Sequence, residues 1–282
     1  MAQSIPTLTG YARTYANVGK TKNFGYDLTF NFVPVRTKDF EWNIGVNAAY
    51  SRNEIVSLAN GKEDDPANGW FIGESTNSIY TYESAGLWKE EDRADMEKFN
   101  ANGHDFQIGM ARPVDQNGDY KIDANNDRTI VGYYDPRWTL GLNTNFTYKG
   151  WDLGIQLYGR MGFKYYDSSV WVGGRYNVRD YDYYNENNKN AAHPKPIYDE
   201  GGKDAYYNET YLKNGSYLKI RNISLGYTFP NRLLTHTGLS ALRMYAQIKN
   251  PGYIFSGCKT LDLDTYSNTY NSGFTFGLNL SF

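Results

Sequence analysis

Hydrophobic and polar residues alternate along several stretches of this chain, and a period of two is typical of β-strands whose two faces meet different surroundings. The clearest stretch ends the chain, where large apolar residues occupy every second position: Phe274, Phe276, Leu278, Leu280 and Phe282. The same alternation predicts further strands at residues 24–35, 42–50, 138–148, 151–163, 217–229 and 242–248. We therefore expect an all-β fold with seven antiparallel strands, each with one apolar and one polar face.

Strand length separates two all-β architectures. A soluble sandwich also alternates, but its strands are usually short. The strands here run about 10 to 15 residues with Trp and Tyr near their ends, as strands do that cross a bilayer with aromatic rings at its interfaces. The pattern favours a transmembrane β-barrel. A soluble aromatic-rich carbohydrate-binding β domain and a small standalone outer-membrane barrel or adhesin remain as alternatives.

The connections between the predicted strands alternate between short and long. Short ones lie near residues 36–39, 149–150 and 230–240, whereas long ones span 59–136, 165–215 and 251–271. Outer-membrane barrels have short periplasmic turns and long extracellular loops, so we expect the long segments to be extracellular. A strand-like run at 79–88 is predicted to lie inside the first of these loops. Because single-chain bacterial barrels normally have an even number of strands, seven predicts a barrel that this chain does not close alone.

Composition and charge exclude several classes of protein. Aromatic residues make up 17% of the chain, yet the mean hydropathy is −0.68 and no apolar run is long enough for a spanning helix. The 29 basic and 31 acidic residues form no basic block, so nucleic acid is not an expected partner. A single cysteine, Cys258, excludes an internal disulfide.

No spacing of Ser, His, Cys or carboxylate residues indicates catalysis, so we do not expect an enzyme. The start has no export signal, so we expect either a cytosolic protein or a portion of a longer one.

Two long sequence runs resemble a known family. They are SYLKIRNISLGYTFP at 216–230 and LRMYAQIKNP at 242–251, and both are similar to the C-terminal part of SusC/RagA-type TonB-dependent transporters of Bacteroidota. Segments at 17–25, 69–73 and 115–128 agree with the same family. The resemblance covers essentially the whole chain.

The resemblance implies a fold and a function. It implies a barrel of about 22 strands with a plugged lumen, of which seven strands are about a third. The expected function is import of oligosaccharides or peptides across the bacterial outer membrane, without catalysis. The implied partners are outer-membrane lipids, a SusD-like lipoprotein, the remaining N-terminal barrel and plug, and TonB acting through that plug.

An acidic loop is a candidate calcium site. Oxygen ligands recur at alternate positions, as in loops that bind hard cations, with Lys121 offering its backbone carbonyl: Asp115, Asn117, Asp119, Lys121, Asp123, Asn126 and Asp127. Against this, Tyr120 stands where a turn-forming glycine is usual, and Asn126 stands where a bidentate Glu is usual. The alternative is a solvated turn rich in Asp and Asn. No other cofactor is expected.

Aromatic and cationic residues of the long loops are candidate contacts for a solute or a partner. Aromatic rings stack on sugar faces and guanidinium groups hydrogen-bond hydroxyls. The candidates are Trp70, Phe71, Trp171, Arg175, Tyr176, Arg179, Tyr183 and Tyr184. The alternative is that these side chains pack the loops on themselves and on a partner protein.

Two further predictions concern the strands. The alternation places Arg160 and Lys164 on the polar, lumen-facing side, where they line a solute route or form a ladder of ion pairs with Asp27, Glu41 or Asp152. The alternating residues Phe274 to Phe282 are expected to be an assembly signal, since a terminal aromatic after such a strand is read by the barrel-insertion machinery.

Overall fold

Long antiparallel strands dominate the computed structural model, which describes residues 2–4, 13–15, 19–59, 61–167, 182–196, 204–258, 262–265 and 271–282. The strands are β1 Ala2–Ser4, β2 Arg13–Tyr15, β3 Lys20–Arg36, β4 Phe40–Ser57, β5 Ser78–Tyr82, β6 Ser84–Leu87, β7 Ala111–Pro113, β8 Arg128–Tyr133, β9 Trp138–Tyr148, β10 Trp151–Met161, β11 Lys164–Tyr166, β12 Leu212–Asn214, β13 Tyr217–Thr228, β14 Ala241–Ser256 and β15 Gly273–Ser281. One α-helix, α1 Arg93–Ala101, and 3₁₀ turns at Glu90–Asp92, Tyr207–Tyr211 and Asn231–Leu233 complete the described elements. Within these ranges, no helix has the length and apolar character needed to cross a bilayer.

Seven of the strands form one sheet, in the order β15-β14-β13-β10-β9-β4-β3. Each neighbouring pair with a described register is antiparallel. The prediction of an all-β fold with seven antiparallel strands is confirmed.

The register of the sheet separates two chemically different faces. Trp151 of β10 lies opposite Tyr148 and Tyr227, and the next position on that face, Leu153, lies opposite Phe146 and Leu225. Apolar residues therefore share one face across several strands, which follows from the period-two alternation of each strand. We call it the apolar face and its opposite the polar face.

Aromatic rings gather at both ends of the β4–β9 pair on the apolar face. At one end, Tyr50 lies 5.0 Å from Trp138 and 5.3 Å from Tyr26, between ring centroids. At the other end, Trp42 stacks on Phe146 at 5.4 Å. The polar Thr144 between them accepts a hydrogen bond from the Trp42 indole N–H at 2.8 Å, so its hydroxyl is satisfied within this face.

Several strand boundaries differ from the predicted ones; β4, for example, continues to Ser57, past the predicted end at residue 50. Strand β10 ends at Met161, before the predicted end at residue 163, because Gly162 adopts a left-handed backbone conformation with φ of 79°. Strand β14 continues to Ser256, past the predicted end at 248. Asn250, with φ of 50°, and Pro251 are accommodated in an irregularity of the β13–β14 register, so the Asn-Pro pair does not end the strand.

The chain forms two compact units. The sheet unit comprises Gly25–Ser51, Pro136–Phe163 and Asn214–Phe282; the loop unit comprises Met1–Phe24, Arg52–Asp135 and Lys164–Lys213. The loop unit has its own core, in which Met96 and Phe99 of α1 pack with other buried residues: Trp88, Phe106, Met110 and Ile122. Strand β5 of this unit pairs with β8, separately from the seven-stranded sheet, as predicted for the run that begins at residue 79.

Candidate functional site

The polar face of the sheet unit is the candidate functional site, and neutral amides and hydroxyls cover much of it. The Gln247 side-chain amide donates to Asn222 Oδ1 at 2.6 Å between neighbouring strands. The Thr29 hydroxyl donates to Asn47 Oδ1 at 3.0 Å in the same way. Such side chains both donate and accept hydrogen bonds. The face is therefore suited to contact water and polar solutes.

One ion pair on the polar face spans three strands. Arg243 of β14 donates through Nε to Asp152 Oδ1 of β10 at 2.9 Å, and through Nη2 to Oδ2 at 2.5 Å. The two side chains meet over Gly226 of β13, where a Cβ atom would run into both of them. Glycine at this position therefore makes room for a bidentate pair, the geometry that gives Arg–carboxylate pairs their strength.

A buried ionic cluster lies further along the polar face. Lys219 of β13 is 1% exposed and donates through Nζ to both carboxylate oxygens of Asp262, at 3.2 and 3.1 Å, while Asp262 itself is 4% exposed. Tyr253 of β14 also donates its hydroxyl to Asp262. Leu263, next in the chain, is fully buried. The segment 262–265, which we call the strap, is thus fixed to the polar face by charge and by packing.

Asp264 of the strap is bound by three donors. Arg221 Nη2 donates to both of its carboxylate oxygens, at 2.9 and 3.2 Å; the Tyr217 hydroxyl donates at 3.2 Å and Lys219 Nζ at 3.4 Å. Burial would raise the pKa of Asp264, but the hydrogen bond and positive charge of Arg221, with the charge of Lys219, outweigh it and hold this pKa below the ordinary value. Asp264 is therefore ionised at neutral pH.

The sequence-predicted lumen residues occupy different places. Arg160 of β10 lies opposite Tyr217, on the polar face, and its Nε donates to the Tyr158 hydroxyl at 3.0 Å. Lys164 lies beyond the end of β10, in β11 of the loop unit, with its aliphatic stem against Gly132. Two of the three carboxylates suggested as ladder partners have other cations, since Asp152 pairs with Arg243 and Glu41 with Arg36.

In the acidic loop, the carboxylates accept hydrogen bonds from backbone amides. Asp115 accepts from the N–H groups of Gly118 and Tyr120, at 2.7 and 2.8 Å. Asp127 is fully buried and accepts from Gln116 and Asp123, at 2.9 and 2.7 Å. Across the described part of the chain, no group of three or more His, Cys, Asp or Glu side chains is arranged to hold a metal ion. Calcium binding here stays a prediction.

The remaining residues of that loop are arranged in the same way. Asp119 accepts from the Lys121 N–H at 2.8 Å and from the Asn117 side-chain amide at 3.0 Å. Asp123 accepts from the N–H groups of Asn125 and Asn126, which lowers the pKa of the Asp123 carboxyl, chiefly through the Asn125 amide. The loop geometry is that of successive Asx turns.

The candidate loop aromatics are only partly described. Phe71 packs on Tyr80 with 4.6 Å between ring centroids, and Trp70 forms a backbone bridge with Asp65. Tyr184 lies against Gly109, and its backbone N–H donates to His193. Tyr183 is 40% exposed. The other candidates lie outside the described residues: Trp171, Arg175, Tyr176 and Arg179.

Two carboxyl groups of the loop unit were not predicted from the sequence: Asp204, which is buried, and Glu209, which is partly buried. Asp204 accepts a hydrogen bond from the Ala111 N–H at 2.8 Å, and burial raises the pKa of its carboxyl. Glu209 accepts from the Thr81 hydroxyl at 2.5 Å, and burial raises its pKa as well. Neither residue has a local sequence signal, because both are buried by elements distant in the chain.

The last strand, β15, exposes its apolar residues strongly. Phe276 is 80% exposed, Phe274 71% and Phe282 91%, and Leu278 and Leu280 share this face at the edge of the sheet. A contiguous exposed apolar surface of this kind is typical of a face that contacts a membrane or another protein.

Curated relatives match nearly the whole chain. TonB-dependent receptor P3 of Formosa agariphila is 26% identical over 310 residues, covering 99% of this chain and 30% of the relative. TonB-dependent receptor SusC of Bacteroides thetaiotaomicron is 27% identical over 301 residues, covering 98% of this chain and 28% of the relative. The chain is thus similar, over nearly its whole length, to TonB-dependent receptors of the SusC/RagA type.

Solved structures of similar proteins share the fold. The structure of the RagAB peptide transporter matches 99% of this chain and 31% of that chain, with a TM-score of 0.71 and 25% identity. The RagAB peptide importer in its open-open state matches 100% of this chain and 31% of that chain, with a TM-score of 0.72 and 23% identity. The chain thus spans about 30% of the length of its curated relatives. No family model matches the sequence.

Proposed function

We propose that this chain forms part of the transmembrane β-barrel of a TonB-dependent importer in the bacterial outer membrane. The observation that carries the proposal is the seven-stranded antiparallel sheet with an exposed apolar face and a hydrogen-bonding polar face. Keeping apolar surface in water costs about 25 cal/mol per Å². Because rows of exposed Phe and Leu side chains lie along β3 and β15, a lipid environment lowers the free energy of this sheet.

In this proposal the apolar face contacts outer-membrane lipids and the polar face borders the lumen. The aromatic groups at both ends of the β4–β9 pair take the place of the interface girdles of such barrels. The long connections around 59–136, 165–215 and 251–271 are extracellular. The terminal aromatic residues from Phe274 to Phe282 serve as the assembly signal.

The solutes proposed for the importer are oligosaccharides or peptides, and the process is gated passage without catalysis. Among the relatives, RagAB is described as a peptide transporter. The full protein acts with a SusD-like lipoprotein, and its plug receives energy through TonB. Calcium in the acidic loop is a separate proposal, with the Asp115 to Asp127 oxygens as ligands.

Cell fractionation tests the location. Membranes from cells that express the intact protein are separated on a density gradient, and we expect the protein in the outer-membrane fraction, extractable only with detergent. Recovery in the soluble fraction would instead support the soluble carbohydrate-binding domain.

Growth tests the transport. A strain lacking the protein is grown with either short peptides or oligosaccharides as its sole carbon source. We expect a growth defect on one of them, restored by the wild-type protein but not in a strain without TonB. Normal growth on both would contradict an import role.

Affinity purification from the outer membrane should also recover a SusD-like lipoprotein, and its absence would refute that partnership.

A further inference from the structure

The environment of Asp264 is that of a carboxylate held in a binding site. Arg221 binds both of its oxygens, and the Tyr217 hydroxyl and the Lys219 ammonium group add two further donors. A hydrogen bond from a guanidinium to a carboxylate is charge-assisted and therefore stronger than one between neutral groups. The carboxylate belongs to the strap, which is outside the strands, whereas all three donors belong to β13.

A β-bulge places the main donor. Gln156 lies opposite Asn222 and Leu157 opposite Ile220, so Arg221 has no counterpart on β10. The register with β14 shifts at the same residue. The extra residue lets both Arg221 and Asn222 join the polar face, where a regular strand would alternate them. Bulges commonly re-aim a side chain at a functional site.

A neighbouring ring supports the same guanidinium. The Arg221 Cζ atom lies 3.6 Å from the centroid of the Tyr158 ring on β10. Stacking on a ring leaves the guanidinium edge available for carboxylate oxygens. The Arg221 side chain is 44% exposed, whereas the Asp264 side chain is 13% exposed. The donor is thus held in place and remains accessible while its internal acceptor is largely covered.

We propose that Arg221, Lys219 and Tyr217 form a carboxylate-binding site on the polar face, which the chain's own Asp264 occupies and from which a solute carboxylate displaces it. The strap keeps its second anchor during this exchange, since Asp262 remains bound to Lys219 and Tyr253. The site selects solutes that carry a free carboxylate, such as a peptide C-terminus or an acidic sugar. This inference deepens the proposed import function and rests on it for its physiological meaning.

The test measures the mobility of the strap. Thr265 is exposed, so a nitroxide label on Thr265→Cys reports on the movement of Asp264 with little disturbance. The label is introduced into the intact protein, purified in detergent, in a Cys258→Ser background. The added probes are trialanine, its C-terminal amide, glucuronate and glucose, all at the same ionic strength.

We expect an immobile label that becomes mobile with trialanine, with glucuronate or with both, while trialanine amide and glucose, which lack a carboxylate, have no effect. The active probe then identifies the source of the carboxylate. Arg221→Gln should raise the probe concentration needed for half of the remaining increase in label mobility by about tenfold or more. This is the effect expected from the loss of a charge-assisted hydrogen bond to the trialanine or glucuronate carboxylate. Asp264→Asn should lower that concentration, because the internal competitor loses its charge. Arg232→Gln, on the exposed turn after β13, is the matched control and should respond like wild type.

The proposal is overturned if neither carboxylate mobilises the label, or if each counterpart without a carboxylate does so equally. It is also overturned if Arg221→Gln and Arg232→Gln behave alike. Because this readout does not depend on uptake, failed growth complementation with a normal label response would count against the transport role alone.

Discussion

Replacing Lys219 with Met should destabilise the sheet unit strongly. Met keeps the length of the side chain but removes the ammonium group that binds Asp262 at 3.1 Å and Asp264 at 3.4 Å. Two carboxylates are then left largely buried with fewer donors. Removing one partner of a buried ion pair usually costs about 3–5 kcal/mol. We expect a loss in this range, from the free energy of the unpaired charge more than from packing.

The assay is denaturant unfolding of the detergent-purified protein, followed by tryptophan fluorescence. The matched control is Lys149→Met, because Lys149 and Asp39 form an exposed pair 3.7 Å apart in the same unit, and its unfolding midpoint should not change measurably. A second variant combines Lys219→Met with Asp262→Asn and Asp264→Asn. It should regain part of the lost stability, since the uncompensated charges are gone.

Two results would refute this reasoning. Equal midpoints for Lys219→Met and Lys149→Met would show that the buried cluster contributes no more than a surface pair. A triple variant less stable than Lys219→Met alone would show that the carboxylates stabilise the strap without the lysine.

Two further predictions concern one residue in each unit. Gly226→Ala should lower the free energy of unfolding by about 1–3 kcal/mol through overpacking, because the new methyl group meets the pair of Asp152 and Arg243. Gly273→Ala, with open space around the new methyl group, should unfold at the wild-type midpoint. Equal midpoints for the two variants would contradict the close approach at Gly226. Burial lowers the pKa of His104, whose Nε2 accepts a backbone N–H, so the folded state favours the neutral imidazole. The stability that the neutral form contributes to the folded protein is fully present above about pH 6.5 and declines as the pH falls through the lowered pKa. An NMR titration midpoint of His104 at or above 6.5 would contradict this.

Much of the sheet could be predicted from local pattern. The alternation around Trp138 and Trp151 is a property of each strand alone, and it places the side chains on the two faces that the structure shows. The antiparallel order follows from short turns such as the one at residues 149–150. The loop unit was harder to predict, because its core joins residues such as Trp88 and Ile122 through irregular connections.

The ionic cluster could not be predicted from the sequence. Lys219 stands at a regular inward position, so the alternation gives its face, but its burial depends on a strap more than 40 residues further along the chain. The register shifts of β13 at Arg221, against both β10 and β14, also have no local sequence signal, since a bulge depends on the neighbouring strands. The predicted strand end at residue 248 was wrong, because the bulged register accommodates Asn250 and Pro251 within β14.

In the proposed function, one face of the sheet contacts lipid and the other contacts water. Nitroxide labels placed singly along β15, from residue 274 to residue 281, test it in the intact protein reconstituted in bilayers. Oxygen, which concentrates in the hydrocarbon, should relax the labels most at the even positions from 274 to 280. A water-soluble nickel chelate should act most at the odd positions from 275 to 281. Accessibility without this period of two, or with the two reagents reversed, would contradict the account.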